Sequence, residues 1–200
     1  MPTERPQWVV REDASLPVLV ALYVRQVLGI RSPEVLPHLR GISSEALGRP
    51  GAEHPELERQ WFSYWQMTVE PQAHPSPVPL DLVDGYDMIV ALPTEGFDEL
   101  RERMLPHGSD AVGFARAAYR RHTQGSGRGV SYRAYAGAIA EFERQVGRRA
   151  HSFELNVQVL PFTQRGVWWI GALTVAVTDS LRSDIAGFDK AIGPFIADLA

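Results

Sequence analysis

The stretch FELNVQVLPFTQRGVWWIGALTVAVT, residues 153–178, decides the fold. In its first half Phe153, Leu155, Val157 and Val159 alternate with Glu154, Asn156 and Gln158, the period-two pattern of a strand with one buried face. In its second half Val167, Trp169, Leu173, Val175 and Val177 fall on one side, with Trp168, Ile170, Ala172, Thr174, Ala176 and Thr178 on the other. FTQRG between the halves suits an extended hairpin loop, so the pattern predicts an antiparallel hairpin over 151–178. Trp168 and Trp169 are adjacent and must point to opposite faces.

Around this hairpin the signals are mostly helical. Downstream, Asp184 caps a closing helix with Phe188, Ile192, Phe195, Ile196 and Leu199 on one face, which Gly193-Pro194 should kink or split. Upstream, Ser131 opens the clearest helix, whose Tyr132, Tyr135, Ile139, Phe142 and Val146 recur at spacings of 3, 4, 3 and 4 before Gly147 ends it. Thr94 and Ser109 open two more, the first closed by Pro106 and the second running through Tyr119 to His122. Alternation of Tyr86, Met88, Val90 and Leu92 predicts a strand over 86–92. Before it, Pro71, Pro75, Pro77 and Pro79 make an extended connection over 71–79. Earlier still, His54-Pro55 opens a helix with Leu57, Trp61, Tyr64 and Trp65 on one stripe, and Ser15 with Pro17 opens a nearly all-apolar one through Val27. Trp8–Arg11 reads as a short strand.

Three consecutive helical patterns between Thr94 and Gly147 break the strand–helix rhythm of a doubly wound fold. The expected class is therefore α+β: a small antiparallel sheet, made of the hairpin 151–178 and the strand 86–92, packed by helices. A single domain over 1–200 is expected, with a helical N-terminal lobe over 1–70 joined through 71–79.

Composition narrows the chemistry. Two hundred residues, 44% hydrophobic and 22% charged, supply a core without a metal or disulfide. The absence of cysteine removes disulfides, iron–sulfur clusters, thiolate zinc sites and cysteine nucleophiles. The one lysine, Lys190, follows Asp189 where a P-loop needs a glycine. The first apolar run, Leu16–Ile30, carries Arg25 and is too short to span a bilayer, so a cytoplasmic protein with no membrane contact is expected.

Charge is unevenly spread. Residues 1–100 hold seven arginines against fifteen acidic residues, whereas residues 101–149 hold ten against four. Such asymmetry marks either an anion-binding face or two regions that neutralise each other. RRHTQGSGRGVSYR, residues 120–133, joins four arginines to three glycines ahead of a helix start. Arg120, Arg121, Arg128, Ser131 and Arg133 are therefore the candidate anion-binding residues, for phosphate or carboxylate. Its glycine spacing is not the dinucleotide fingerprint, and a net charge of −4 disfavours nucleic acid.

Six histidines include no pair at i, i+2 or i, i+4, so no metal ligands are assigned and no cofactor is called for. His107 and Asp110 are the nearest to an acid–base pair, and no GxSxG elbow is present, which leaves enzymatic activity open. On the polar strand face, Trp168, Ile170 and Ala172 are too apolar for open water and are the candidate interface. The expected function is a non-enzymatic binding or protein-interaction domain, with a protein partner or a homo-oligomer as its target. The alternative is an enzyme or ligand-binding domain for a phosphorylated or carboxylated small molecule held by the Arg/Gly-rich loop.

Overall fold

The computed structural model describes residues 7–42, 54–125 and 130–200. β1 (Trp8–Asp13) leads directly into α1 (Leu16–Val27), and α2 (Pro55–Val69) follows. β2 (Leu80–Leu82) and β3 (Ala91–Pro93) form a two-stranded antiparallel ribbon. Next come α3 (Asp98–Met104), a 3₁₀ turn (Leu105–His107), α4 (Gly108–Gly125) and α5 (Val130–Val146). The chain closes with β4 (Phe153–Leu160), β5 (Val167–Trp169), β6 (Thr174–Thr178), α6 (Asp179–Arg182) and α7 (Ile185–Leu199). Helices and strands of both kinds place the fold in the α+β class, with the two sheets separate.

The main sheet differs from the expected hairpin. Its order is β1-β4-β6-β5, with β4 parallel to both β1 and β6 and only β5 antiparallel to β6. The run Val167–Thr178 is not one strand: it breaks at Gly171-Ala172-Leu173, and its two halves fold on each other. β6 then lies beside β4 with Val157 opposite Val175 and Val159 opposite Val177. Period-two alternation assigned these valines to one face correctly, but it carries no information about strand direction. The strand expected over 86–92 is also shorter. Asp87 and Met88 adopt left-handed φ values of 48° and 60°, and Ile89 N–H donates to the Tyr86 carbonyl at 2.8 Å, so 86–89 is the hairpin turn and pairing starts beyond it.

Helices cover both faces of the sheet. On the odd-numbered face Leu155, Val157, Val159, Val175 and Val177 meet Tyr135 and Ile139 of α5 and Phe188, Ile192 and Ile196 of α7. Ala176, between the two valines, points the other way into a larger core built by α1, α2, α3 and α4 with Leu160 and Phe162. That core takes Leu57 and Trp61 from before the prolyl segment and Tyr86, Val90 and Leu92 from after it. α1 is buried along most of its length, Arg25 included. The Arg25 guanidinium donates to the carbonyls of Arg31, Ser32, Pro33 and Leu36 at 2.8–3.3 Å, and Gln26 holds both backbone groups of Leu39. Together they mould residues 31–39 into a strap that bridges Leu39 to Phe162 at the exit of β4.

Two helix expectations change as well. α5 buries Tyr135 and Ile139, but Tyr132 and Val146 at its ends are exposed. α7 is continuous through Pro194 and is not split: Pro194 lies on its exposed face, as does Lys190, whose carbonyl loses its intrahelical donor there. Asp184 caps this helix as expected, accepting from Gly187 N–H at 3.1 Å.

Candidate functional site

α5 and α7 run side by side in the same direction: Tyr135 meets Phe188 edge-on at 5.6 Å near their starts, and Arg148, just beyond α5, donates to the Ala200 carbonyl at 3.1 Å. Each helix lines the seam between them with one stripe of the same spacing, residues 134, 137, 138, 141, 142 and 145 on α5 and residues 186, 189, 190, 193, 194 and 197 on α7. Ala134, Gly137, Ala138, Ala186, Gly193 and Ala197 are all small, and where a leucine would fill the seam they leave a groove of about 730 Å³. Each stripe spans twelve residues of helix, which makes the groove about 17 Å long. Phe142 and Pro194 add apolar surface, and Glu141, Gln145, Asp189 and Lys190 form the rim. Glu141 is already engaged by Arg144 and by Gln145, so among the described residues Asp189 and Lys190 are the rim charges open to a partner.

A second constellation sits at the carboxyl ends of the parallel strands. α1 leaves β1 toward the larger core and α6–α7 leave β6 toward the smaller one, the topological arrangement at which α/β sheets bind ligands. There Glu12 Oε2 accepts from the Tyr135 hydroxyl at 2.9 Å and from Arg182 Nε at 2.8 Å. Arg182 also lies over the Phe188 ring at 4.8 Å, and the Glu12 and Arg182 side chains are only 17% and 14% exposed. Burial, and then the Glu12 charge, push the Tyr135 hydroxyl upward and keep it protonated. The crevice over β4 is filled by the chain itself: Arg40 N–H donates to Pro161, Thr163 N–H donates to His38, and the Arg40 side chain pairs with Asp179 at 2.6 Å. The arrangement is a closed ion pair with a hydroxyl.

The residues expected from sequence are scattered. Arg120 and Arg121 are exposed near the end of α4, and Arg133 is exposed in the first turn of α5. Arg128 lies outside the described residues, and Ser131 falls inside α5 with its side chain outside the description. Among the described residues, none of Arg120, Arg121 and Arg133 pairs with a carboxylate. Trp168 is half-buried and meets Phe162 edge-on at 5.4 Å, and Ile170, also half-buried, packs on the same larger core. Ala172 alone of that row is exposed, in the turn where Leu173 N–H donates to Glu70 at 3.1 Å. His107 and Asp110 make no hydrogen bond or ion pair with each other. On the polar strand face Glu154 pairs with Arg11 at 2.7 Å and Gln158 accepts from Ser15 N–H at 2.9 Å.

Among the described residues no group of three His, Asp or Glu could hold a metal ion, and no helix is long and apolar enough to cross a membrane. Sequence reasoning passed over the groove because Gly and Ala count as weak helix signals, not as shape. It passed over Glu12 too, although an acid at the parity of Trp8 and Val10 on a strand was a visible anomaly. In comparison with known proteins, no family model, no curated protein and no solved structure matches the chain.

Proposed function

We propose that this protein is a non-enzymatic interaction domain that receives a helix of a partner protein in the α5–α7 groove. The observation that carries this is the matched pair of stripes, apolar and small along three turns and flanked, among the described residues, by two open charges of opposite sign. The shape suits a rod: the groove is about three helical turns long and open to solvent along its length, which favours an amphipathic helix over a compact metabolite. A concave seam is not complementary to itself, so a second copy presenting the same groove would leave it empty. Near-neutral rim charge favours a protein helix over nucleic acid or an anionic membrane.

The test places a photo-crosslinking benzoylphenylalanine at position 137 of the full chain in its native cells. An adduct at one partner peptide is expected, lost when Ala138→Trp fills the groove and retained when Glu58→Gln alters the remote first turn of α2. No adduct, or one that survives Ala138→Trp, would sink the reading. The anionic-ligand alternative rests on Arg120, Arg121 and Arg133, whose exposure bears on a different surface.

A further inference from the structure

We propose that two copies of this chain associate about a two-fold axis with their α4 helices antiparallel, so that the acidic, apolar β2–β3 ribbon of each meets the basic end of the other's α4. The surface is separate from the α5–α7 groove and does not depend on it.

The outward stripe of α4 reads Asp110, Gly113, Ala117 and Arg120, with Arg116 and Arg121 beside it, all exposed or half-exposed. It is acidic at one end, small in the middle and basic at the other. A two-fold rotation reverses such a stripe onto itself, setting Asp110 of one copy against Arg120 and Arg121 of the other and Gly113 against Ala117. A Cβ built on Gly113 would meet nothing within 4 Å, so the middle of the stripe is open to close approach.

The ribbon extends the acidic end. Gly85 lies against Gly108 at the start of α4, so closely that a Cβ on Gly108 would come within 2.6 Å of the Gly85 carbonyl oxygen. Leu80 and Leu82 on the ribbon are 52% and 55% exposed, and Met88 at its tip is 81% exposed. Met88 holds a left-handed φ of 60° in a turn position where glycine is free of strain, which keeps a long apolar side chain outward at a conformational cost. Asp81 and Asp84 are exposed along the same ribbon, and Asp87 pairs with Arg116 at 3.0 Å. Acidic flanks argue against an anionic lipid surface as the occupant.

The complement is on the same chain. Asp87 takes Arg116, and Tyr119, Arg120 and Arg121 lie about one turn farther along α4, neither Arg120 nor Arg121 pairing with a carboxylate among the described residues. The two-fold arrangement brings the ribbon of one copy to this surface of the other, where Asp meets Arg and the Met88 thioether meets an exposed tyrosine ring.

The experiment is sedimentation equilibrium of the full chain at low and high salt. A mass of twice 22.3 kDa is expected at low salt, with dissociation promoted by high salt. Asp110→Arg alone, or Arg120→Asp with Arg121→Asp, should raise the dimer Kd at least tenfold while circular dichroism stays unchanged. The variant carrying both swaps should dimerise again, since the stripe is then complementary in the reversed sense, and a fold defect would not be rescued in this way. Ala138→Trp should leave the dimer intact. A monomer at every salt concentration, a dimer indifferent to the single-end swaps, or a dimer broken by Ala138→Trp would each overturn the proposal.

Discussion

At the scale of single residues, two charges, Arg25 buried and Glu12 half-buried, organise regions that the sequence marks only as anomalies. Arg25 interrupts an apolar helix and, among the described residues, is held by carbonyls with no carboxylate partner, and burial lowers its pKa from the usual guanidinium value. Arg25→Met should cost about 3 kcal/mol in urea unfolding, because several carbonyls of the strap lose their donor at once. Glu12→Ala should cost a similar amount, about 3 kcal/mol, by leaving Arg182 and Tyr135 without their shared acceptor. Replacing all three at once, Glu12→Leu with Arg182→Leu and Tyr135→Phe, should be far milder if the cluster serves only to close the sheet edge. Trp168→Glu should lower stability by about 2–4 kcal/mol, since it would set a carboxylate against Phe162 and the larger core. From sequence Trp168 was visible as too apolar for water. That it packs on Phe162 and the larger core was not, because packing partners are a long-range fact.

Among the elements, what the sequence made legible was the face each residue takes. The stripe Leu57, Trp61, Tyr64 and Trp65 in α2 is buried as its spacing predicts, with Trp61 and Trp65 stacked at 5.6 Å. Strand direction was illegible, since β4 and β6 would show the same alternation either way round. The break at Gly171 was legible only in hindsight of the pairing, because one glycine in a strand reads equally as a bulge. α2 also makes a pH prediction. In its first turn the Arg59 guanidinium, and next the Gln60 amide, hold the exposed Glu56 carboxyl at about 2, below its ordinary 4.5. A carboxyl depressed in the folded state contributes stability that is complete above the unfolded value and is lost as pH falls from there toward 2. Thermal unfolding between pH 5 and pH 2 should therefore fall less steeply in Glu56→Gln than in the parent chain. Equal slopes would mean that the exposed pair contributes nothing measurable.

For the whole molecule, one central strand ties two cores together: β6 sends Val175 and Val177 into the smaller and Ala176 into the larger. Urea unfolding followed by hydrogen exchange on α2 and on α7 should give coincident midpoints, whereas separated midpoints would show two independently folding layers. The candidate groove was harder to foresee than the fold. A core residue announces itself by being apolar at the right period, but a groove is made by what is missing, and Gly137 or Ala138 in isolation carries no such signal.

The pairing of Trp8 with Phe153 has a consequence for how the molecule is made. At ribosomal speeds of about 5–20 residues per second, β1 waits on the order of ten seconds or more for β4, its strand neighbour among the described residues, to be synthesised. In that interval α1 to α4 can gather much of the larger core, while Trp8 and Val10 stay uncovered until the end of the sheet arrives. A nascent chain halted before residue 153 would thus carry a loose, half-apolar strand, making it a natural client for a holding chaperone and a target for early proteolysis.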